Sequence, residues 1–206
     1  MTWSAPGTTA VSVLFERREA PVLGLAEQAE AVARACYAMA LRFHRGGKLI
    51  VFGNGGPSTD AQHVAVEFVH PVIVGKRALP AISLTADIAT LTGIANRVGL
   101  AEVFAHQIRI LAEPADIALG ISTDGDCENV LRGLEAARER GMLTIALAGG
   151  EGGKIADSHG VDHLLLARST DPLVVKEVHV TAYHVLWELV HVFFEQPGVL
   201  TPEVAS

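Results

Sequence analysis

Residues 48 to 70 read KLIVFGNGGPSTDAQHVAVEFVH. Four apolar residues, Leu49-Ile50-Val51-Phe52, run into Gly53-Asn54-Gly55-Gly56, and a helical pattern carrying His63 and Glu67 follows at once. This is strand, glycine turn, helix. Glycines at such a junction let the backbone approach a ligand, and the free N–H groups that open the next helix suit an anion. His63 and Glu67 lie four apart, so they share one helix face and point into the same space. The candidate functional site starts here.

Working outward, the same alternation repeats. Strand-like runs are expected at Ala78 to Leu84, Ile117 to Ser122, Met142 to Ala148 and Val161 to Leu166. Between them Asp87 can cap a helix through about Ala95, Leu100 to Leu111 offers another, Cys127 to Arg140 a third, and a short one follows Gly149 to Gly153. The last helix starts after Asp171-Pro172 and runs to about Glu195, with Pro197 and Gly198 beyond it. Strands alternating with helices predict an α/β fold, a parallel sheet covered on both faces with ligands at the carboxyl ends of its strands. Both polar turns, Gly53 to Gly56 and Ser122-Thr123-Asp124-Gly125, fall at that edge.

Toward the N-terminus, residues 1 to 8 read as a frayed leader and Ala10 to Arg18 as a short helix. Pro21 is expected to open a longer helix through about Phe43. Along it Val22, Ala26, Ala29, Ala33, Cys36 and Ala40 make a small-residue face suited to close helix packing. These helices precede the first strand, so residues 1–46 are read as a cap or oligomerisation element on one structural domain, with residues 47–206 as the sheet-bearing part.

The chain has 206 residues, 50% hydrophobic and 19% charged, a balance that points to further apolar surface buried in an oligomer. No apolar run reaches the roughly 18 to 20 residues needed to cross a bilayer, and no basic-then-apolar signal pattern opens the chain, so a cytoplasmic setting without membrane contact is expected. Cys36 and Cys127 do not form a disulfide framework or a zinc ribbon. A net charge of -7 without a basic run argues against direct nucleic-acid binding.

Taken together, Gly53-Asn54-Gly55-Gly56, Asp60-Ala61-x-His63 with Glu67, Ala95-Asn96, Gly120-Ile121-Ser122-Thr123-x-Gly125, Gly152-Gly153-Lys154 and Glu177-x-His179 with His184 resemble a sugar-isomerase (SIS) domain of the phosphoheptose isomerase type. The resemblance covers nearly the whole chain. It implies a flavodoxin-like, three-layer sandwich on a five-stranded parallel sheet, with an N-terminal helical extension. It also implies a homotetramer that binds a sugar phosphate between subunits and holds zinc. By the same resemblance His63, Glu67 and His184 are the metal ligands, and Glu67 and His184 move the proton between adjacent carbons. Asn54, Gly55, Gly56, Asn96, Arg97, Ser122, Thr123, Asp124, Cys127 and Lys176 fall at the positions that hold substrate. A near neighbour, the bacterial replication-initiator-associating protein, shares the fold and tetrameric build without known isomerase chemistry; Leu91-Thr92-x-Ile94-Ala95-Asn96 is similar to it.

The departures from the family pattern lie in the pocket. Pro57 stands where the family has a serine, Asp124 and Cys127 replace two serines of its phosphate turn, Arg97 replaces an aspartate, and Lys176 replaces a glutamine at the metal site. Asp124 beside a phosphate dianion costs roughly 4 kcal/mol for unit charges ~4 Å apart at an effective dielectric of about 20. Two readings follow. In one, Arg97 or Lys176 neutralises Asp124 or takes over the anionic group, leaving an isomerase with a shifted substrate. In the other, the chain is a non-catalytic scaffold or metal-binding regulatory protein, its phosphate pocket lost, and it docks a protein partner near the C-terminus; Lys176 then pairs with Glu67 in place of a metal. His70, His179 and His191 read as structural or solvent-facing, Cys127 as a small replacement for serine with a reactive thiol near a helix N-terminus as the alternative, and Gly149 to Gly153 as a strand-to-helix turn. The stripe Trp187, Val190, Phe193 and Phe194 reads as core or subunit interface, with a partner surface as the alternative.

Overall fold

The computed structural model describes residues 8–196 and 198–200. Residues 1–7 of the expected leader lie outside that range, as does Pro197. Five strands form one sheet in the order β2-β1-β3-β4-β5: β1 (Leu49–Gly53), β2 (Ala81–Ser83), β3 (Ile117–Ser122), β4 (Leu143–Gly149) and β5 (His163–Ala167). Every pairing is parallel, with Gly53 beside Ile121 and Ser122 beside Ala148. The three central strands are buried at every residue, as a parallel sheet covered on both faces requires. The chain crosses from one side of β1 to the other between β2 and β3. That switch point opens a crevice at the carboxyl ends of β1 and β3, where both polar turns emerge.

On one face of the sheet lie α2 (Ala29–His44), α3 (Gly56–Val69) and α8 (Pro172–Glu195), whose core includes Met39, Phe43, Val64, Phe68, Tyr183 and Val190. On the other lie α5 (Val103–Leu111) and α6 (Glu128–Glu139), packed through Phe104, Ile108, Val130 and Leu134 onto Phe52; α4 (Ile88–Arg97) leans on them through Leu91 and Ile94. Asp87 caps α4 by accepting from the Thr90 amide, as its sequence position predicts. The short α7 (Gly153–Asp157) follows β4.

The N-terminal helices differ from expectation in two respects. Pro21 does not open a helix: α1 (Thr8–Ala26) runs through it, and the break falls at Glu27–Gln28. There the Gln28 amide donates to the Leu166 carbonyl and accepts from the Leu166 N–H, so this side chain pairs with the open edge of β5, and the helix axis turns at the residue that does so. The small-residue stripe is also divided. Cys36 and Ala40 are buried with Val32, Ala35 and Met39, whereas Val22, Ala26, Ala29 and Ala33 face outward. The inward residues of α2 are one continuous core with β1, β3 and β4. No helix among the described residues is long and apolar enough to cross a membrane.

Candidate active site

Tight backbone contact builds the crevice. A Cβ at Gly53 would sit 2.6 Å from the Ile121 carbonyl oxygen and 2.7 Å from Pro57 Cβ, so only glycine lets β1 turn into α3 against β3. Pro57 lies in the first turn of α3, where a missing N–H is tolerated, and the Ser58 N–H bonds the Gly55 carbonyl. This leaves the glycine turn with fewer free donors than an all-amide helix start. The Asn54 side chain is tied to Asn129 by two amide hydrogen bonds of 2.6 and 3.0 Å.

The second turn is closed on itself. The Ser122 hydroxyl donates to Asp124 Oδ1 (3.2 Å), the Asp126 N–H donates to the same oxygen (2.9 Å), and the Gly125 N–H goes to Ser122 Oγ (2.9 Å). Asp124 thus uses its own turn as its binding partner, and neither Arg97 nor Lys176 is paired with it. Asp126 accepts from the Lys154 N–H, and Ile155 N–H bonds Gly125, which locks Gly149 to Gly153 onto this turn as a structural element rather than an anion cradle. Thr123 follows Ser122, and Cys127 sits at the start of α6 without a capping bond.

Lys176 donates to Asp60 Oδ1 at 2.6 Å and lies 3.4 Å from the Gly56 carbonyl oxygen and 3.5 Å from Thr59 Oγ1. Its expected alternative partner, Glu67, is not reached, because Asp60 lies two helical turns nearer the glycine turn on the same helix. The Asp60 side chain is 5% exposed and its Oδ2 has no hydrogen-bond partner among the described residues.

Further along the α3–α8 seam, His63, Glu67 and His184 bring one ligand atom each to within 4.8 Å of one another. His63 Nε2 lies 3.3 Å from Glu67 Oε1, and the His63 and His184 rings are 5.3 Å apart edge to face. Two imidazoles and a carboxylate are a normal donor set for zinc that leaves a coordination position open, so the residues present fit such an ion. Two neighbours hold the cluster that the sequence did not point to. The Tyr183 hydroxyl is 3.0 Å from His63 Nδ1, and the Trp187 indole N–H donates to the Glu67 carbonyl at 2.9 Å. Burial pushes the Tyr183 hydroxyl pKa up, which keeps it protonated. The only sequence sign was their place on α8, one residue before and three after His184.

The remaining candidates separate. Asn96 is exposed, and Arg97, without an ion-pair or hydrogen-bond partner among the described residues, lines a cleft of about 790 Å³ between α4, α5 and β2 with Asp87, Thr90 and His106. That cleft includes neither polar turn nor the histidine cluster. Trp187 and Val190 are buried, Phe193 packs edge-on against Tyr37, and Phe194 lies under the Arg77 guanidinium. The C-terminal stripe therefore packs against the core, Trp187 and Val190 fully and Phe193 and Phe194 in part. His191 bonds the Trp187 and Arg77 carbonyls, which is a structural role, and His70 is exposed. Burial pushes the Cys36 thiol up to about 12, making it inert.

His179 is 2% exposed, bonded to the backbone of Ala148, with Nε2 unpartnered among the described residues, and burial lowers its pKa to about 4. The folded state therefore binds fewer protons than the unfolded chain between pH 6.5 and about 4, so this contribution is complete above pH 6.5 and is lost as pH falls through the window. A His179→Gln variant is expected to remove a loss of a few kcal/mol over that range, read by urea denaturation at pH 7 and pH 4.5. Parallel pH dependence in both proteins would contradict it.

The parallel sheet, with a glycine turn at its switch point and a polar seam behind it, places a ligand crevice where open α/β folds hold theirs. A family model described as SIS domain matches residues 22–149, and the chain belongs to that family. Within it the similarity is to phosphoheptose isomerases: the enzyme of Desulfovibrio desulfuricans is 43% identical over 86% of this chain and 84% of its own, and that of Aquifex aeolicus 43% over 70% and 75%. Among solved structures, the phosphoheptose isomerase of Neisseria gonorrhoeae superposes with a TM-score of 0.81 at 32% identity, covering 88% of this chain and 97% of the other. That of Francisella tularensis gives 0.79 at 32% identity over 89% and 98%.

Proposed function

We propose that this chain is a metal-dependent aldose–ketose isomerase of a sugar phosphate, sedoheptulose 7-phosphate or a close relative of it. The observation that carries the reading is the convergence of His63, Glu67 and His184 from α3 and α8 within 4.8 Å. Such a trio reached from two helices, His184 lying 121 and 117 residues from His63 and Glu67, on a fold shared with phosphoheptose isomerases supports chemistry at this seam.

The polar groups are laid out in a row along the seam: the glycine turn, then Lys176 with Asp60, then His63 with Tyr183, then Glu67 with His184. His63 lies about 10 Å along the axis of α3 from Gly56, at ~1.5 Å per residue. An open-chain sugar that reacts at one end and carries its anion at the other suits this layout. Asn54, Gly55, Gly56, Ser122, Thr123, Asp124 and Cys127 line the anion end, Lys176 the middle, and Asn96 and Arg97 meet the ligand from a neighbouring subunit. Glu67 and His184 take a proton from one carbon and return it to the next, roles that a carboxylate and an imidazole exchange readily near neutral pH. His63, Glu67 and His184 would hold a zinc ion, which when bound would supply polarisation of the substrate's hydroxyl and carbonyl oxygens.

The assembly proposed is a homotetramer in which residues 1–46 contribute contacts, and a cytoplasmic location goes with it. Exposed Val13, Leu14, Phe15 and Leu23 on α1, with Ile88, Val98, Leu100 and Ile110 around α4, support buried surface between copies.

The test is turnover of sedoheptulose 7-phosphate by protein whose metal has been measured by elemental analysis, before and after chelation. The expected result is near-stoichiometric zinc, activity that falls with the metal and returns with it, and a His63→Ala variant that retains neither. Fully metallated protein without turnover would overturn the proposed reaction.

A further inference from the structure

We infer that Tyr183 is a positioning residue for the metal ligand His63, an inference that rests on the metal site proposed above. Its ring is buried, 2% exposed, and packs against both imidazoles, with centroids 5.5 Å from His63 and 4.9 Å from His184. Its hydroxyl is 3.0 Å from His63 Nδ1, the nitrogen turned away from Glu67, while Nε2 faces the Glu67 carboxylate at 3.3 Å. The two contacts define both edges of the His63 ring.

The chemistry of a hydroxyl gives this partner a property that a carboxylate or a lysine lacks. A phenol both donates and accepts. When Nε2 carries the imidazole proton, it donates toward Glu67 and the Tyr183 O–H donates to Nδ1. When Nε2 gives its lone pair to a metal, the proton resides on Nδ1, which donates to the Tyr183 oxygen. One neutral group therefore holds the ring in the same orientation with the site empty or filled, and it adds no charge to a cluster that already contains Glu67. This matters because the His63 side chain is 43% exposed, so packing alone does not fix its rotation. Partners on the far nitrogen of a ligating histidine orient the ring, and losing one costs about 10- to 100-fold in metal affinity.

The experiment compares the wild type, Tyr183→Phe and His63→Ala for Co²⁺ and Zn²⁺ affinity by chelator competition. Metal-free thermal melting is recorded for each, and the visible absorption of the Co²⁺ form is read as the signature of ligand geometry. The inference expects Tyr183→Phe to melt like the wild type without metal, bind both ions 10- to 100-fold more weakly and shift the Co²⁺ bands, with His63→Ala losing binding. Unchanged affinity and spectrum in Tyr183→Phe, with a wild type that binds, would overturn the positioning role and leave the metal site standing. A wild type that takes up neither ion overturns the metal reading and this inference with it.

Discussion

Replacing Glu67 by Gln is expected to lower kcat for sedoheptulose 7-phosphate by at least about 10³-fold while leaving assembly and melting intact. The substitution keeps the side chain's volume and removes only its charge and its ability to take a proton. General acid–base catalysis by one positioned group contributes typically 10²- to 10⁴-fold, and Glu67 is also one of the three groups that converge at the seam. The fold has little reason to suffer, because the link that ties this turn of α3 to α8 uses the Glu67 backbone carbonyl, which accepts from Trp187, and that bond is indifferent to the side chain. Steady-state kinetics with size-exclusion chromatography checks both halves. Undiminished activity would remove Glu67 from the mechanism.

The second large effect concerns Asp124. Its carboxylate already occupies the donors of its turn, taking the Ser122 hydroxyl and the Asp126 N–H. A phosphate that binds there must displace it and approach a like charge, a repulsion of roughly 4 kcal/mol at ~4 Å with an effective dielectric of about 20. Two variants separate these effects. Asp124→Asn keeps an oxygen for the turn and removes the charge; Asp124→Ser also frees the donors. Affinity for the sugar phosphate is expected to rise in the order wild type, Asn, Ser, by about 10-fold or more in total, with kcat changed far less because Asp124 bonds to its own turn and not to Glu67 or His184. Isothermal titration with the sugar phosphate measures it. Equal or weaker binding in both variants would mean that the anion is held elsewhere than this turn.

Much of this was legible in the residues. The apolar runs ended by glycine turns gave the strand order's raw material, and β3 lies where its sequence pattern placed it, at Ile117–Ser122. The His63–Glu67 spacing put both groups on one face, and resemblance added His184; the structure brings the three together. What escaped was decided by contacts between segments remote in sequence. Lys176 and Asp60 are 116 residues apart, and nothing local in either says that they meet at 2.6 Å. The continuation of α1 through Pro21 depends on packing against α8 and β5, which a proline rule does not contain, and the true break belongs to Gln28, whose partner Leu166 lies on the last strand. Asp124 reads in the sequence as a repulsive charge, but its capture by its own turn is a matter of backbone direction at residues 122 to 126. The C-terminal aromatic stripe reads as either core or surface for the same reason: the groups that cover Trp187 and Phe194, the Glu67 carbonyl and the Arg77 guanidinium, are remote in sequence.

The central claim is that Glu67 and His184 move a proton between adjacent carbons of a sugar phosphate. Its most direct test is NMR of sedoheptulose 7-phosphate incubated with zinc-loaded protein in D₂O. The account predicts an aldose product with solvent deuterium at the carbon that receives the proton, and neither signal with Glu67→Gln. Ketose recovered unchanged and undeuterated from fully metallated wild-type protein would contradict it.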